Sequence, residues 1–266
     1  MQTSLSQITV GIIHTFASDC CCHEAVIETC RRFDMNYWLA DSETLPAAPP
    51  VCDVIFDTSE RYAGYENLRW RVRTWAEEHS IKVAGDSAAV MRLCDDKAAA
   101  RQVLQNAGIP VPPGFALDDV PDAALAASLL RLYNFHLPVV IKSAGTHGSL
   151  GLAIASRTED IATAVQDCLA AGKSRVLVEE YIEGPELQLP VFLCPPMFEL
   201  PVMEVAGLSG VYSLEMKAES EGDVRYLPAK ISAEQEHKIR SLGALACSAL
   251  GIGSYTRFDL RVREDG

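Results

Sequence analysis

The chain has 266 residues, of which 48% are hydrophobic and 22% charged, the composition of an ordinary folded protein. Thirty-six acidic residues against 23 basic ones give a net charge of −13. Because this charge opposes binding to nucleic-acid phosphates and to anionic lipid, we expect neither a nucleic acid nor a membrane as a partner.

The first residues and the cysteines both predict a cytoplasmic protein. The opening Met1-Gln2-Thr3-Ser4 carries no positive side chain, and the apolar stretch 8–13 is too short to span a bilayer. The nine cysteines are odd in number and form no Cys-x-x-Cys pair, as is typical of reduced proteins. For the run from Cys20 to His23, a helix start is favoured over a metal site, because no second ligand pair follows.

Strands and helices alternate over residues 1–94. Helical spacing predicts one helix bearing Val26, Ile27 and Cys30 and another over 65–79. Short apolar runs predict strands at 8–13, 37–40, 51–56 and 81–84. This alternation is typical of an α/β domain whose parallel sheet is covered by helices.

Residues 95–266 have a mixed, α+β pattern. A helix from about Asp95 is predicted to end at Gly108 in the left-handed conformation. Ser232 and Gln235 form a capping-box pattern at the start of a long helix that ends at Gly251. A further helix is predicted over 158–170. Strands are predicted at 139–141, 152–155, 176–180, 187–192, 203–205 and 254–262.

A glycine-rich turn lies between the predicted strands 139–141 and 152–155. Gly145, Gly148 and Gly151 recur at every third position. Because two strands flank the turn, it is neither a Walker P-loop nor a Rossmann fingerprint. A hairpin covering phosphates and a plain flexible hairpin both fit the glycines. Lys142, placed where the first strand ends, favours phosphate binding.

Acidic side chains follow the apolar strand 176–180. The run from Glu179 and Glu180 through Gly184-Pro185 to Glu186 suits hydrogen bonding to an amino group and a hydroxyl, although a solvated strand end has the same pattern. On the last strand, Arg257 and Asp259 lie on one face because side chains alternate. They indicate either a metal ligand beside a charge stabiliser or an ion pair, and the spacing alone favours the ion pair.

Several strings in residues 95–266 occur together in one family. They are Asp96-Lys97, the runs 108–113, 138–142, 179–186 and 200–204, the positions Tyr212 to Lys217, Pro228-Ala229-Lys230 and Arg257-Phe258-Asp259. In order and spacing they resemble the D-alanine–D-alanine ligase branch of the ATP-grasp superfamily. The resemblance implies an ATP-grasp domain over 95–266, preceded by a substrate-side, pre-ATP-grasp domain over 1–94. The family's next strand carries Glu-x-Asn, so we expect the ATP-grasp domain to be truncated and the 266 residues alone to be inactive.

The resemblance also assigns roles to individual residues. It implies ATP and Mg²⁺ (or Mn²⁺) as cofactors, with Asp259 as the metal ligand. Three residues would act in catalysis: Arg257 on the charge of the acyl-transfer intermediate, Lys217 on phosphate, and Ser149 at the γ-phosphate. Glu179 would accept from the adenine amino group, and Glu186 would hold the ribose. The nucleotide-binding set implied by the resemblance is Lys97, Lys142, Glu179, Glu180, Tyr181, Ile182, Glu186 and Lys217.

The function implied is an ADP-forming ligase that joins a carboxylate to an amine through an acyl phosphate. Its partners would be small amino-acid or carboxylate substrates, and the resemblance allows a homodimer. The family's substrate-side Glu, Ser and Tyr are replaced at the stretch 14–19, Gly148 and Ala218, and a second family motif is replaced by the stretch 56–61. A ligase for another amino acid or small carboxylate therefore stays open, as does a nucleotide-binding module without catalysis. A sugar- or anion-binding protein is less favoured, because the match of Lys97, Lys142 and Lys217 to the family's phosphate-binding lysines would then be a coincidence.

Overall fold

The structure is a computed structural model that describes residues 4–17, 20–59, 68–146, 149–172, 175–194, 200–206 and 225–263. The chain divides into two compact units, Met1–Arg92 and Leu93–Gly266. Among the described residues, no helix is long and apolar enough to cross a bilayer.

The first unit contains a parallel three-stranded sheet. Its strands are β1 (Thr9–His14), β2 (Asn36–Asp41) and β3 (Val54–Asp57), in the order β2-β1-β3. The accompanying helices are α1 (Cys22–Arg32) and α2 (Leu68–Glu78), after a 3-10 turn at Leu5–Gln7. Ile13, Ile55 and Val72 pack the core between the sheet and α2. The parallel, helix-covered sheet predicted for this part of the chain is confirmed.

The strand predicted at 81–84 is wrong. Only Val83 bridges to the sheet, opposite Ile55, whose backbone bonds to the carbonyl of Lys82 and the N–H of Ala84. The chain then bends at Gly85, where φ is +109°. One pair of backbone hydrogen bonds before this left-handed turn is too little for a strand.

The second unit begins with two helices and an antiparallel sheet. Helix α3 (Ala88–Asp95) leads into α4 (Lys97–Asn106), which Asp96 caps through the N–H groups of Ala98 and Ala99. As predicted, Gly108 has a positive φ of 74° beyond the end of α4. The sheet has the order β4-β7-β5-β6. Its members are β4 (Gly114–Leu117), β5 (Val139–Ser143), β6 (Leu152–Ala155) and β7 (Val176–Glu180).

Two helices and one face of this sheet enclose an apolar core. The helices are α5 (Ala123–Leu132) and α6 (Asp160–Gly172). Val139 and Ile141 of β5, Val165 of α6 and Val178 of β7 are completely buried. Because side chains alternate along a strand, the residues that directly follow these core positions, such as Lys142 after Ile141 and Glu179 after Val178, point to the opposite face.

A second antiparallel sheet has the order β10-β9-β8-β11. Its strands are β8 (Glu186–Phe192), β9 (Met203–Ala206), β10 (Arg225–Pro228) and β11 (Tyr255–Arg261). Helix α7 (Ala233–Leu250) has the predicted capping box of Ser232 and Gln235 and ends at Gly251, where φ is +74°. Gly243 of α7 packs directly on Leu189. The contact is so close that a Cβ at position 243 would collide with the Leu189 side chain.

Candidate functional site

A cavity of about 920 Å³ lies in the second unit. Helices α4 and α7, strands of both antiparallel sheets and the segment 181–185 contribute to its lining. The cavity brings together residues that are up to 169 positions apart in the chain, from Cys94 to Arg263. The predicted site residues in its lining are Lys97, Lys142, Ser149, Glu179, Glu180, Tyr181, Ile182, Glu186, Arg257 and Asp259.

Glu179 is the most buried charged residue of this cavity, with only 5% of its surface exposed. Val140 lies opposite Glu179 in the register of β5 and β7, so Lys142 is its diagonal neighbour on the same face. The Lys142 ammonium lies 2.5 Å from one oxygen of the Glu179 carboxylate, and Arg101 Nε lies 3.5 Å from the other. One buried carboxylate is thus held between two cations.

Arg101 was not among the residues predicted from the sequence. It projects from α4, and its guanidinium also donates to the Pro112 carbonyl at 2.9 Å. No local motif marks this position, since the Glu179 it contacts is distant in the chain. The contact between Arg101 and the buried carboxylate of Glu179 forms only in the folded protein, where α4 lies next to β7.

Lys97, the first residue of α4, reaches the backbone that follows β5. Its ammonium donates to the carbonyl oxygens of Ser143 at 3.1 Å and Ala144 at 3.4 Å, and also to that of Thr146. Its predicted contact with phosphate stays a prediction. The lysine is placed where the glycine-rich turn begins.

The hairpin flanking this turn is antiparallel, with Lys142 opposite Leu152. This agrees with the predicted strand–turn–strand arrangement. Ser149 lines the cavity and has a φ of +68°. Lys217, Gly148, Ala218, Asp19 and residues 60–61 lie outside the described residues.

The segment 181–185 connects β7 to β8 and is fixed by backbone hydrogen bonds before its turn. The N–H of Glu180 donates to the Pro113 carbonyl at 2.9 Å, and the N–H of Tyr181 donates to that of Pro138 at 3.3 Å. At its far end, Gly184 has a φ of +138°, and a Cβ there would collide with the Val262 carbonyl oxygen. Only glycine satisfies both conditions.

Arg257 and Asp259 form a two-point ion pair on β11. Arg257 Nε and one terminal nitrogen lie 2.8 and 3.2 Å from the two Asp259 oxygens. Both side chains are about half exposed, at 55% and 53%. The ion pair favoured from the spacing is therefore present, whereas the role of Asp259 as a metal ligand stays a prediction.

Within the described ranges, no group of three or more His, Cys, Asp or Glu side chains is placed to hold a metal ion. Asp259 offers one carboxylate beside the cavity, which suits a divalent cation that is carried mainly by phosphate oxygens and water. The residues present therefore fit a cation delivered with a nucleotide, and do not by themselves form a cage.

Polar residues are buried at the carboxyl edge of the parallel sheet in the first unit. Asp57 ends β3 and accepts from the N–H of Ser59 at 3.0 Å, while Arg73 lies 3.9 Å away. Burial raises the pKa of Asp57, and the hydrogen bonds from Ser59 and the charge of Arg73 oppose this shift. At the end of β1, His14 stacks on His23 with ring centroids 3.9 Å apart.

The parallel sheet of the first unit and the antiparallel sheets of the second, with a cavity lined by cations and carboxylates, agree with the ATP-grasp fold expected from the resemblance. A family model described as "D-ala D-ala ligase C-terminus" matches residues 103–266, well over half of the chain. The chain belongs to the D-alanine–D-alanine ligase family of ATP-grasp proteins, which confirms the resemblance seen in the sequence.

Two relatives show the extent of the similarity. The D-alanine–D-alanine ligase of Desulforudis audaxviator is 32% identical over 182 residues, 68% of this chain and 58% of the relative. The D-alanine–D-alanine ligase B of Pseudomonas putida is 30% identical over 187 residues, 70% of this chain and 56% of the relative. The matched region thus spans less than two thirds of these relatives' length.

Solved structures extend the similarity in fold to nearly the whole chain. D-alanyl-alanine synthetase A from Vibrio cholerae superposes with a TM-score of 0.79 at 14% identity, covering 98% of this chain and 86% of that protein. VanG D-Ala:D-Ser ligase from Enterococcus faecalis gives 0.77 at 19% identity, with 98% and 88% covered. At these identities the likeness shows the fold alone.

Proposed function

We propose that this protein is an ATP-dependent, ADP-forming ligase that joins a carboxylate to an amine through an acyl phosphate. The observation that carries the proposal is the shared lining of the cavity by Lys97, Lys142, Arg257, Glu179 and Glu186. Polyphosphate requires cations, whereas an adenine amino group and ribose hydroxyls require acceptors. Both sets line the same cavity of about 920 Å³, a size suited to a nucleotide with a small substrate.

The nucleoside would bind at the end of the cavity formed by β7 and the segment after it. Glu179 would accept a hydrogen bond from the adenine amino group. The backbone at Tyr181 and Ile182 would contact the edge of the ring, and Glu186 would bind the ribose hydroxyls. Arg101 and Lys142 both lie next to Glu179 and orient its carboxylate, whose oxygens would act as the acceptors.

The triphosphate would extend towards the cations. Lys142, Lys97 and Lys217 would contact phosphate oxygens, with Ser149 at the γ-phosphate. A divalent cation, Mg²⁺ or Mn²⁺, would neutralise part of the phosphate charge when bound, with Asp259 as a protein ligand.

The reaction would proceed in two transfers. An oxygen of the substrate carboxylate attacks the γ-phosphorus, the bond from phosphorus to the β,γ-bridging oxygen breaks, and ADP leaves. The amine nitrogen then attacks the acyl carbon, inorganic phosphate leaves, and the nitrogen loses a proton. Arg257 would stabilise the negative charge that develops on the acyl oxygen, as preorganised charge does in other acyl transfers.

The substrate pair is tested by a screen of D- and L-amino acids, singly and in pairs, with ATP and Mg²⁺, using a protein extended by the expected Glu-x-Asn strand. We expect phosphate release that depends on an amino acid, together with a product of the condensed mass in mass spectrometry. D-alanine alone should be a poor substrate, because the family's substrate-side residues are replaced at 14–19, Gly148 and Ala218. ATP binding without release in any combination would favour a nucleotide-binding module instead.

A further inference from the structure

Arg261, the last residue of β11, contacts several residues of the segment that connects β7 to β8. One terminal nitrogen donates to the Tyr181 hydroxyl and to the Ile182 carbonyl, both at 3.2 Å, and to the Gly184 carbonyl at 3.4 Å. The other lies 3.4 Å from a carboxylate oxygen of Glu186. The guanidinium also lies 5.1 Å from the centre of the Tyr181 ring.

These contacts are shielded from water. The side chains of Arg261 and Glu186 are only 17% and 16% exposed, so their interaction is weakened little by solvent. Arg261 also lies directly opposite Glu186 in the register of β8 and β11, and the guanidinium therefore needs no backbone shift to reach the carboxylate.

We propose that Arg261 is a positioning residue that holds residues 181–186 in the conformation that reads the nucleoside of ATP. The inference rests on the proposed nucleotide site. Backbone hydrogen bonds at Glu180 and Tyr181 hold the start of the segment, and the rest of it lies outside any strand, since β7 ends at Glu180 and β8 begins at Glu186. Gly184 places it against Val262, and Arg261 fixes the carbonyls and the side chains on either side of that contact.

The position of Arg261 on β11 links the two ends of the cavity. Side chains alternate along a strand, so Arg257, Asp259 and Arg261 share one face, and all three line the cavity. Arg257 and Asp259 would act at the reacting end in the proposed function, whereas Arg261 contacts Tyr181, Ile182, Gly184 and Glu186 at the proposed nucleoside end. One rigid strand therefore sets the distance between the base and the reacting phosphate.

The planar fork of arginine is needed for this role. A guanidinium offers five N–H donors in fixed directions, while a lysine ammonium is a point charge on a flexible chain. Lysine at position 261 would keep the attraction to Glu186 but would lose the simultaneous bonds to Tyr181, Ile182 and Gly184.

The test compares binding of ATP with binding of inorganic tripolyphosphate by calorimetry, using the full-length protein. In Arg261→Met we expect the Kd of ATP to rise at least about tenfold, because several charge-assisted hydrogen bonds that shape the nucleoside site are lost. The Kd of tripolyphosphate should stay within about twofold, because this ligand has no nucleoside to be read. Arg261→Lys should recover part of the ATP affinity.

A matched control is Arg157→Met, since Arg157 makes ion pairs with Glu159 and Asp160 on the surface. Neither ligand should bind differently to it. Equal ATP affinity in Arg261→Met and the unmodified protein, or equal weakening of ATP and tripolyphosphate, would overturn the inference. If Arg261→Met does not fold, the same comparison with Arg261→Lys decides. Failure of the unmodified protein to bind ATP would instead refute the nucleotide site, and the inference with it.

Discussion

Two ion pairs line the same cavity and differ in their exposure to water. In the pair between β5 and β7, the side chains of Lys142 and Glu179 are 29% and 7% exposed. In the pair on β11, those of Arg257 and Asp259 are 55% and 53% exposed. Removing one partner of a buried pair leaves an uncompensated charge, whereas an exposed pair contributes little to stability. The first pair is thus a fixed part of the fold, and the second is free to exchange its partner for a charged ligand.

The largest expected effect comes from removing the buried carboxylate. Glu179→Ala leaves Lys142 and Arg101 side by side without a counter-charge, and we expect a loss of about 3 kcal/mol in the free energy of unfolding. Urea denaturation measures this loss. Glu159→Ala, which removes an exposed carboxylate, should cost less than about 0.5 kcal/mol. A loss below about 1 kcal/mol for Glu179→Ala would contradict the distinction between the two pairs.

Removing the lysine of the same pair should cost less stability, because Arg101 still faces Glu179. For Lys142→Met we expect a loss of about 1–2 kcal/mol in the free energy of unfolding. ATP-dependent turnover should fall about a hundredfold in kcat/KM, since a phosphate-binding charge is lost. The exposed Lys82→Met serves as the control. Normal turnover in Lys142→Met would show that this lysine does not bind phosphate.

The exposed pair should separate stability from activity. Arg257→Met is expected to change the free energy of unfolding by less than about 0.5 kcal/mol, because the lost pair is solvated. Turnover should nevertheless fall at least about tenfold with an almost unchanged Kd for ATP, as expected for a charge that acts in the transition state. Urea denaturation tests the predicted stability, and steady-state kinetics test the predicted fall in turnover. A loss of more than about 1 kcal/mol in the free energy of unfolding would show that this exposed pair contributes to stability as the buried pair does.

The smallest effect concerns the thiol behind the first antiparallel sheet. Burial and the neighbouring Asp167 raise the pKa of Cys168 to about 11. At pH 8 its thiolate fraction is on the order of a thousandth, so iodoacetamide should leave it unmodified in the native protein. The exposed Cys21 and Cys22 should react under the same conditions. Peptide mass spectrometry reads the sites, concentrated urea provides the positive control, and native labelling of Cys168 at the rate of the exposed thiols would contradict the prediction.

Elements with a strong local signal are predictable from the sequence. The strands at 152–155 and 176–180 coincide with β6 and β7, because each is a short apolar run between turn residues. The capping box at Ser232 fixes the start of α7. In contrast, β4 has only four residues, Gly114–Leu117, follows two prolines and gains its extended form from pairing with β7. The alanine-rich α5 and the eight-residue α3 were likewise not predicted.

For the site, the sequence indicates the residues whose neighbours form motifs and misses those that act across elements. Lys142 and Glu179 belong to recognisable strings, but their direct ion pair depends on the register of β5 and β7. Arg101 has no motif at all. Arg261 had a usable signal, because it continues the alternation of Arg257 and Asp259 by one more step along the strand.

Gly243 sets the spacing between α7 and the strand β8 beneath it. A methyl group there would either turn the buried Leu189 side chain or lift the helix, and overpacking of this kind typically costs about 1–3 kcal/mol. Since α7 and Leu189 both line the cavity, the second response would enlarge the cavity and would shift Lys238 of α7 with the helix. Position 243 is therefore a place where the volume of the cavity can be changed without substituting any charged residue of its lining.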